Sequence, residues 1–458
     1  MANVTYTNPA YDLSLPFWQK TRAAATNNGI KAGGQTYLPM GEDKDTAKYA
    51  SYQKRAVYMG VTGRTQEALV GAIFRKELSF TDDLPSQLDF INTDFDGEMG
   101  SVEQVAKRTA SDILVAGRFG YLVDFPAVGE MTREQEINSG VKPYTTSYSA
   151  ENITNWETVK VNGIQKLALV VLKEIDLQHK NGDIFQLEEV TRYRVLRLVE
   201  GLYVQELYND DGELEGEPIE PRMGGQRMTS IPFFFVGSVD NKPSVDEIPL
   251  EGIADINIAH YRNSADFEKN LYIHSGGTLT ITTSMDNDAW KQMNPNGVVV
   301  GADQGLFLGD SGSASLLQLE PANAVDEAMK RKEQQMISIG ARLITTSAIN
   351  ETAEAARIAA SSETSVLNTV VSNIESALNQ CLDVMAGFMG LNDAPEIKLN
   401  RQFFDTTLTA QEWMAANVAA DRGDISQSDI RRILRKANIL DSSRTDADID
   451  NENGLNGQ

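Results

Sequence analysis

Apolar residues recur at spacings of three and four along one long segment near the C-terminal end. Leu367, Val370, Ile374, Leu378, Cys381, Met385 and Phe388 form a seam that begins within Glu351–Ala386, 36 residues with neither glycine nor proline. That spacing predicts a helix with one apolar face. Asn350 caps its start, and Glu351 and Glu354 fall in the first turn, where the helix dipole favours them. Gly387 and Gly390 supply the stop. At ~1.5 Å per residue the rod is ~54 Å long, against a mean helix of roughly 11–12 residues. A beam of this length suits an architectural protein better than a compact catalytic core.

Other patterns divide the rest of the chain. Residues 1–80 read as polar helices carrying Tyr37, Tyr49, Tyr52 and Tyr58. Residues 81–126 read as a short helix, an acidic loop, a helix over Ser101–Ala116 and a buried strand ended by Pro126. Across 145–240 the pattern changes character and becomes strand-like. Leu167–Leu172, Val190–Val199 and Leu202–Tyr208 read as strands of an antiparallel sheet, with a turn at Asn209–Gly212. Pro249 opens a helix that Gly276 and Gly277 close. On it, His260, Ser264, Phe267 and Leu271 share a face of mixed polarity, suited to packing between subunits. A small α/β insert follows: a strand at 278–283, a short helix at Asp286–Met293, and strands at Val298–Val300 and Leu316–Leu319. A second helix, capped by Asn323, carries Val325, Met329, Met336, Ile339 and Leu343 on one side. Lys330, Arg331 and Lys332 lie on the other. Two shorter helices fall at about 409–421 and 426–438, and the acidic, Asn-rich tail after Asp441 reads as disordered. The fold class is α+β.

Composition narrows the function. The 458 residues are 41% hydrophobic and 23% charged, ordinary for a globular chain. The apolar runs are far short of the ~18 residues a membrane span needs, so no membrane partner is expected, and no secretory signal is visible at the N-terminus. The one cysteine, Cys381, sits on the apolar seam and reads as a small core residue. The net charge of −24 argues against tight binding of nucleic acid, which rests on phosphate neutralisation by Lys and Arg. It is compatible with a surface that DNA slides past.

No constellation of residues supports an enzyme. The loop Asn92, Asp94, Asp96, Gly97, Glu103 has oxygen ligands near EF-hand spacing. Position 1 is Asn, however, and no second hand pairs with it, so an acidic loop turned by Gly97 explains it better and no metal is expected. Gly309–Ser313 is similar to a serine-protease nucleophile loop, making Ser311 a nominal hydrolase nucleophile. None of His179, His260 and His274 has a protease context. There is no phosphate-binding Gly-Lys pair and no CxxC, and no cofactor is expected. Arg431, Arg432 and Arg435 lie on a late helix and are candidates for contact with DNA phosphates, or simply for solvated charge near a helix end.

The order of these elements carries information: helix, small α/β insert, helix, short polar loop, very long helix. It resembles the core of tailed-bacteriophage portal proteins. Local sequences add to the resemblance over about residues 40–440: NTDFDGEMGSVEQVAKR with GRFGYLVDFP, then YSAENITNW, then ETAEAARIAASSETSVLNTVVSNIESALN. It implies a non-enzymatic ring, usually of twelve subunits, at one capsid vertex, through which double-stranded DNA is packaged and ejected. By position, residues 1–248 are the wing, 249–276 the first stem helix, 277–322 the clip and 323–342 the second stem helix. Residues 343–350 are a tunnel loop, in which Leu343, Ile344, Thr345, Thr346 and Ser347 line the DNA channel. Residues 351–407 are the long wing helix and a return strand, 408–440 a short helical crown and 441–458 the tail. Asp286, Asp288, Trp290 and Lys291 mark the clip surface that docks the terminase large subunit and later the neck or adaptor proteins. Lys330, Arg331 and Lys332 are candidates for a basic ring facing the DNA. The ring would also contact the major capsid protein, in the host cytoplasm during assembly and then in the virion. The alternatives are another head–tail adaptor, a scaffold-associated component, or a hydrolase using Ser311.

Overall fold

The computed structural model describes residues 3–40, 46–126, 141–275, 278–295, 297, 307–309, 311–317, 323–342, 366–403, 414, 418–420, 422–423, 426–436, 440 and 444–455. It is a mixed structure of helices and antiparallel sheets.

Four helices open the chain: α1 (Pro9–Ala25), α2 (Asn27–Ala32), α3 (Thr46–Arg55) and α4 (Val61–Ile73). A two-residue strand β1 (Ser79–Phe80) and a 3-10 helix at Ser86–Asn92 lead into the acidic loop. Helix α5 (Val102–Ala116) follows, and its start is fixed by a capping box. The Ser101 hydroxyl accepts from the Gln104 N–H, while the Gln104 side chain accepts from the Ser101 N–H, so two orphan donors are satisfied reciprocally. Gly117 ends it at φ 67°, a left-handed conformation that costs a glycine nothing sterically.

Strand β2 (Arg118–Asp124) is buried from Arg118 through Val123, which is why it reads as a continuous apolar run rather than an alternation. It sits between β3 (Tyr144–Ser149) and β10 (Phe233–Gly237), antiparallel to both. A second sheet is a meander of β4 (Ile153–Val161), β5 (Ile164–His179), β6 (Leu187–Val199) and β7 (Leu202–Asn209). Cross-strand pairs Arg194–Glu174 and Arg197–Glu206 line it. The expected turn closes at Gly212, whose N–H donates to the Asn209 carbonyl. A short hairpin of β8 (Arg222–Met223) and β9 (Gln226–Arg227) precedes β10.

Two long helices, α6 (Glu251–Ser275) and α8 (Asn323–Arg342), flank the insert. The insert holds β11 (Thr278–Thr282), α7 (Asn287–Met293) and β12 (Ser313–Leu317). Strand β12 starts three residues before the expected Leu316, because its register with β11 pairs Ser313 with Thr282. Val298–Val300 lie outside the described residues, as do residues 343–365, the expected tunnel loop and the N-terminal part of the expected beam. From Val366 the apolar seam is as read: α9 (Val366–Phe388) buries Leu367, Val370, Ile374, Leu378, Cys381 and Met385 in the main core, against α5, β2 and β10.

The end of α9 corrects one reading. Gly387 is inside the helix; Gly390, at φ 69°, is the stop. The Leu391 N–H donates to the Ala386 carbonyl and the Gly390 N–H to that of Gly387, a Schellman pair. Gly387 serves packing instead, since a Cβ there would lie 2.6 Å from the Met223 sulfur. The chain then returns through β13 (Ile397–Lys398), which pairs with β1. Glu375, buried on α9, fastens this return by accepting from the Leu399 N–H at 2.7 Å and pairing with Arg401.

Helix α10 (Gln427–Lys436) matches the second of the two late helices; the first falls largely outside the described residues. The tail departs from the expected disorder: α11 (Asp446–Leu455) is helical. The Thr445 hydroxyl accepts from the Asp448 N–H, while Asp448 accepts from the Thr445 N–H and hydroxyl. Asp446 and Asp448 in the first turn suit the dipole.

Candidate functional site

Helices α6 and α8 pack side by side in opposite directions. Gly340 faces the Ile253 side chain across the pair, and Glu333 faces His260, so a step of seven residues along one helix is matched by seven in reverse along the other. Antiparallel β11 and β12 continue the pair at its far end.

The near end of α6 is anchored. Lys20 of α1 lies 2.7 Å from Asp255 and 3.0 Å from Glu251. Burial works against the Lys20 charge, but those two carboxylates outweigh it and raise the ammonium above its ordinary value. Asn257 accepts from the Thr62 N–H at 3.1 Å, Ser264 from the Val57 N–H at 3.0 Å, and Asp266 from the Tyr52 hydroxyl at 2.7 Å. The face expected to pack between subunits therefore divides. His260 and Ser264 are buried within the chain itself, on one stripe with Ile253, Asn257, Ile258 and Tyr261, whereas Leu271 is exposed.

Burial runs out beyond Ala265. Among the described residues of α6, none from 266 on is buried, and on α8 only Met336 is. Among the described residues of the insert only Asn294 is buried, its amide donating to the Phe307 carbonyl at 3.0 Å. The far halves of α6 and α8, with the insert, thus form an arm outside the core. It exposes Leu271, Tyr272, Met293 and Phe307, and Ile337 on the near half of α8 is open as well, at 72%. Arg55 stacks over the Tyr272 ring at 3.7 Å and leaves most of that ring open. Sequence reasoning singled out Leu271 but missed the others, because an apolar residue on a helix reads as core until its neighbours are known.

The predicted residues fall as follows. In the insert, the Asp286 carboxylate accepts from the Asp288 and Ala289 N–H groups and so caps α7; Asp288 and Lys291 are exposed, and Trp290 is half-buried. On α8, Lys330 pairs with Asp326 on its own helix, Arg331 is exposed and Lys332 is half-buried. Leu343, Ile344, Thr345, Thr346 and Ser347 lie outside the described residues. The Ser311 hydroxyl donates to the Ser284 hydroxyl, which is no base.

In the acidic loop, Asp96 accepts from the Glu98 and Gly100 N–H groups and Asp94 from the Met99 N–H; Glu103 pairs with Lys107. These carboxylates are engaged in building the loop. Among the described residues no group of three or more His, Cys, Asp or Glu could hold a metal ion, and no helix is long and apolar enough to cross a membrane. On α10, the candidate DNA contacts already have carboxylate partners: Arg431 with Asp450, Arg435 with Asp446, Arg432 with Asp429.

A family model described as "Domain of unknown function (DUF4055)" matches residues 249–389, the stretch that runs from the arm to the end of α9. No curated protein matches the chain. Among solved structures, the chain is similar to a component of the virion of the native gene transfer agent particle, at 12% identity and a TM-score of 0.43, over 88% of this chain and 98% of that one. It is similar to a chain in the neck of the empty gene transfer agent particle, at 13% identity and a TM-score of 0.42, over 86% and 94%. An HK97 family phage portal protein from Corynebacterium diphtheriae is similar at 11% identity and a TM-score of 0.33, over 79% and 97%.

Proposed function

We propose that this chain is a phage portal protein, a structural head–tail connector that forms a ring at one capsid vertex. The arm carries this reading: the far halves of two antiparallel helices, with the insert, lie outside the core and expose large apolar side chains. A soluble chain leaves such a surface open when copies of itself, or other proteins, cover it. In a closed ring each arm packs between two others, and the insert becomes a docking rim for the terminase large subunit and then the neck proteins. The order of elements read from the sequence supports the same assignment, with 343–350 as the channel loop, 408–440 as the crown and the sheets and α9 as the wing against the major capsid protein. The net charge of −24 suits a channel through which duplex DNA slides without adhering.

Electron microscopy of the purified protein, alone and co-assembled with its capsid protein, tests the reading. Twelve copies of a 50.3 kDa chain give a closed cyclic particle of roughly 600 kDa. The expected image is a ring with a stalk and a wide brim. Monomers or open filaments in both preparations would contradict it.

A further inference from the structure

Helices α10 and α11 are charge complements. The first carries Arg431, Arg432, Arg435 and Lys436 against Asp429, four bases less one acid, a net +3. Residues 444–455 carry Asp446, Asp448, Asp450 and Glu452 against Arg444, four acids less one base, a net −3. The match extends to register. Arg431 meets Asp450 and Arg435 meets Asp446, so two arginines four apart face two aspartates four apart, running in opposite directions. Each guanidinium also donates to backbone: Arg431 to the Asp446 carbonyl at 3.3 Å, Arg435 to that of Arg444 at 2.8 Å.

A helix repeats such a pair every ~6 Å. Successive phosphates of one DNA strand rise ~3.4 Å each and, because they wind about the axis, stand about twice that apart through space. We propose that the basic face of α10 is a docking surface for the phosphate backbone of a nucleic acid, and that α11 occupies this face as an acidic stand-in. Guanidinium forks accept carboxylate or phosphate oxygens alike. Exposed ion pairs are individually weak, and Asp450 is largely open to solvent. The tail holds its place because it is tethered, which keeps its local concentration high. A phosphate polymer displaces it when held close to α10 by some other means. An acidic protein offers the same charge without the regular repeat, so nucleic acid is the favoured partner. The inference stands on the chain's own ion pairs; failure of ring formation would leave it intact, and its failure would leave the ring reading intact.

The test is binding of a fluorescent duplex of about 30 base pairs to the full-length chain, at salt between about 50 and 200 mM. In one variant Asp446→Asn and Asp450→Asn neutralise the tail. In a second, Asp210→Asn and Asp211→Asn make the same charge change in the distant β7 turn. A third adds Arg431→Gln and Arg435→Gln to the first. The neutral-tail variant is expected to bind at least about tenfold tighter than wild type, with a salt slope steeper by roughly 2, about 0.9 for each of two phosphates gained. The turn variant should stay near wild type, and the third should lose the gain. Equal binding by the neutral-tail and wild-type chains, an equal gain in the turn variant, or a gain that survives loss of both arginines would overturn the proposal. Truncation after Leu440 removes the tail without altering α10 and must give the same tightening; its absence there would also overturn it.

Discussion

At the scale of single residues, burial governs chemistry. Cys381 is fully buried on α9, and burial first, with Asp383 adding to it, pushes its thiol well above the ordinary range. For an acid whose folded pKa is raised, the protonated form favours the folded state. The stabilisation is complete below the unfolded pKa and lost as pH rises through the folded one. At pH 8 the folded chain should therefore carry an inert thiol. A thiol-reactive dye is expected to label nothing in native protein and one site per chain in denaturant; rapid native labelling would show that the seam opens. Arg118 obeys the same physics with the opposite charge. Burial lowers its guanidinium to about 9, with Asp246 opposing. It stays protonated at neutral pH, stacked over Trp156 at 4.0 Å and Phe235 at 4.4 Å, and donates to the Pro243 and Ser244 carbonyls.

At the scale of elements, the two glycines near the end of α9 make separable contributions. Gly390→Ala forces a side chain into the left-handed region and should cost ~1–2 kcal/mol. Gly387→Ala keeps ordinary helical backbone and meets only the Met223 thioether, a flexible end that can turn aside, so it should cost less. Thermal unfolding of both variants checks the order; a greater loss at Gly387 would mean that the β8 contact, not the helix stop, fixes this end. The contrast shows what was legible in the sequence. The α9 seam, the α5 helix, the β5–β7 strands and the flanking helices of the insert were readable because local patterning decides them. The role of Gly387 was not, because it depends on Met223, far away in sequence. Nor was the split of the α6 face: His260 and Ser264 look alike in a helical period, and only the approach of α3, α4 and α8 buries them while leaving Leu271 open. The tail was read from composition alone. Its Thr445–Asp448 cap and its acids four apart were the overlooked signal, and the arginines that receive them lie on another helix.

At the scale of the whole molecule, the arm is the part left unfinished by a single chain. Leu271 and Ile337 are exposed, so replacing both with serine should leave unfolding of the monomer near wild type while abolishing large assemblies in light scattering. Rings that persist would move the subunit contact to the sheets. The arm's attachment has a further consequence. The chain leaves the body along α6 and comes back along α8, and the two run side by side in opposite directions. An excursion that departs and re-enters at one place places no geometric demand on the rest of the fold, as with domain insertions at neighbouring termini. The segment is thus a cassette. Its tip can be lengthened, shortened or exchanged without re-engineering the body, and in the portal proposed above a new docking partner could be acquired by recombination confined to this one stretch of gene.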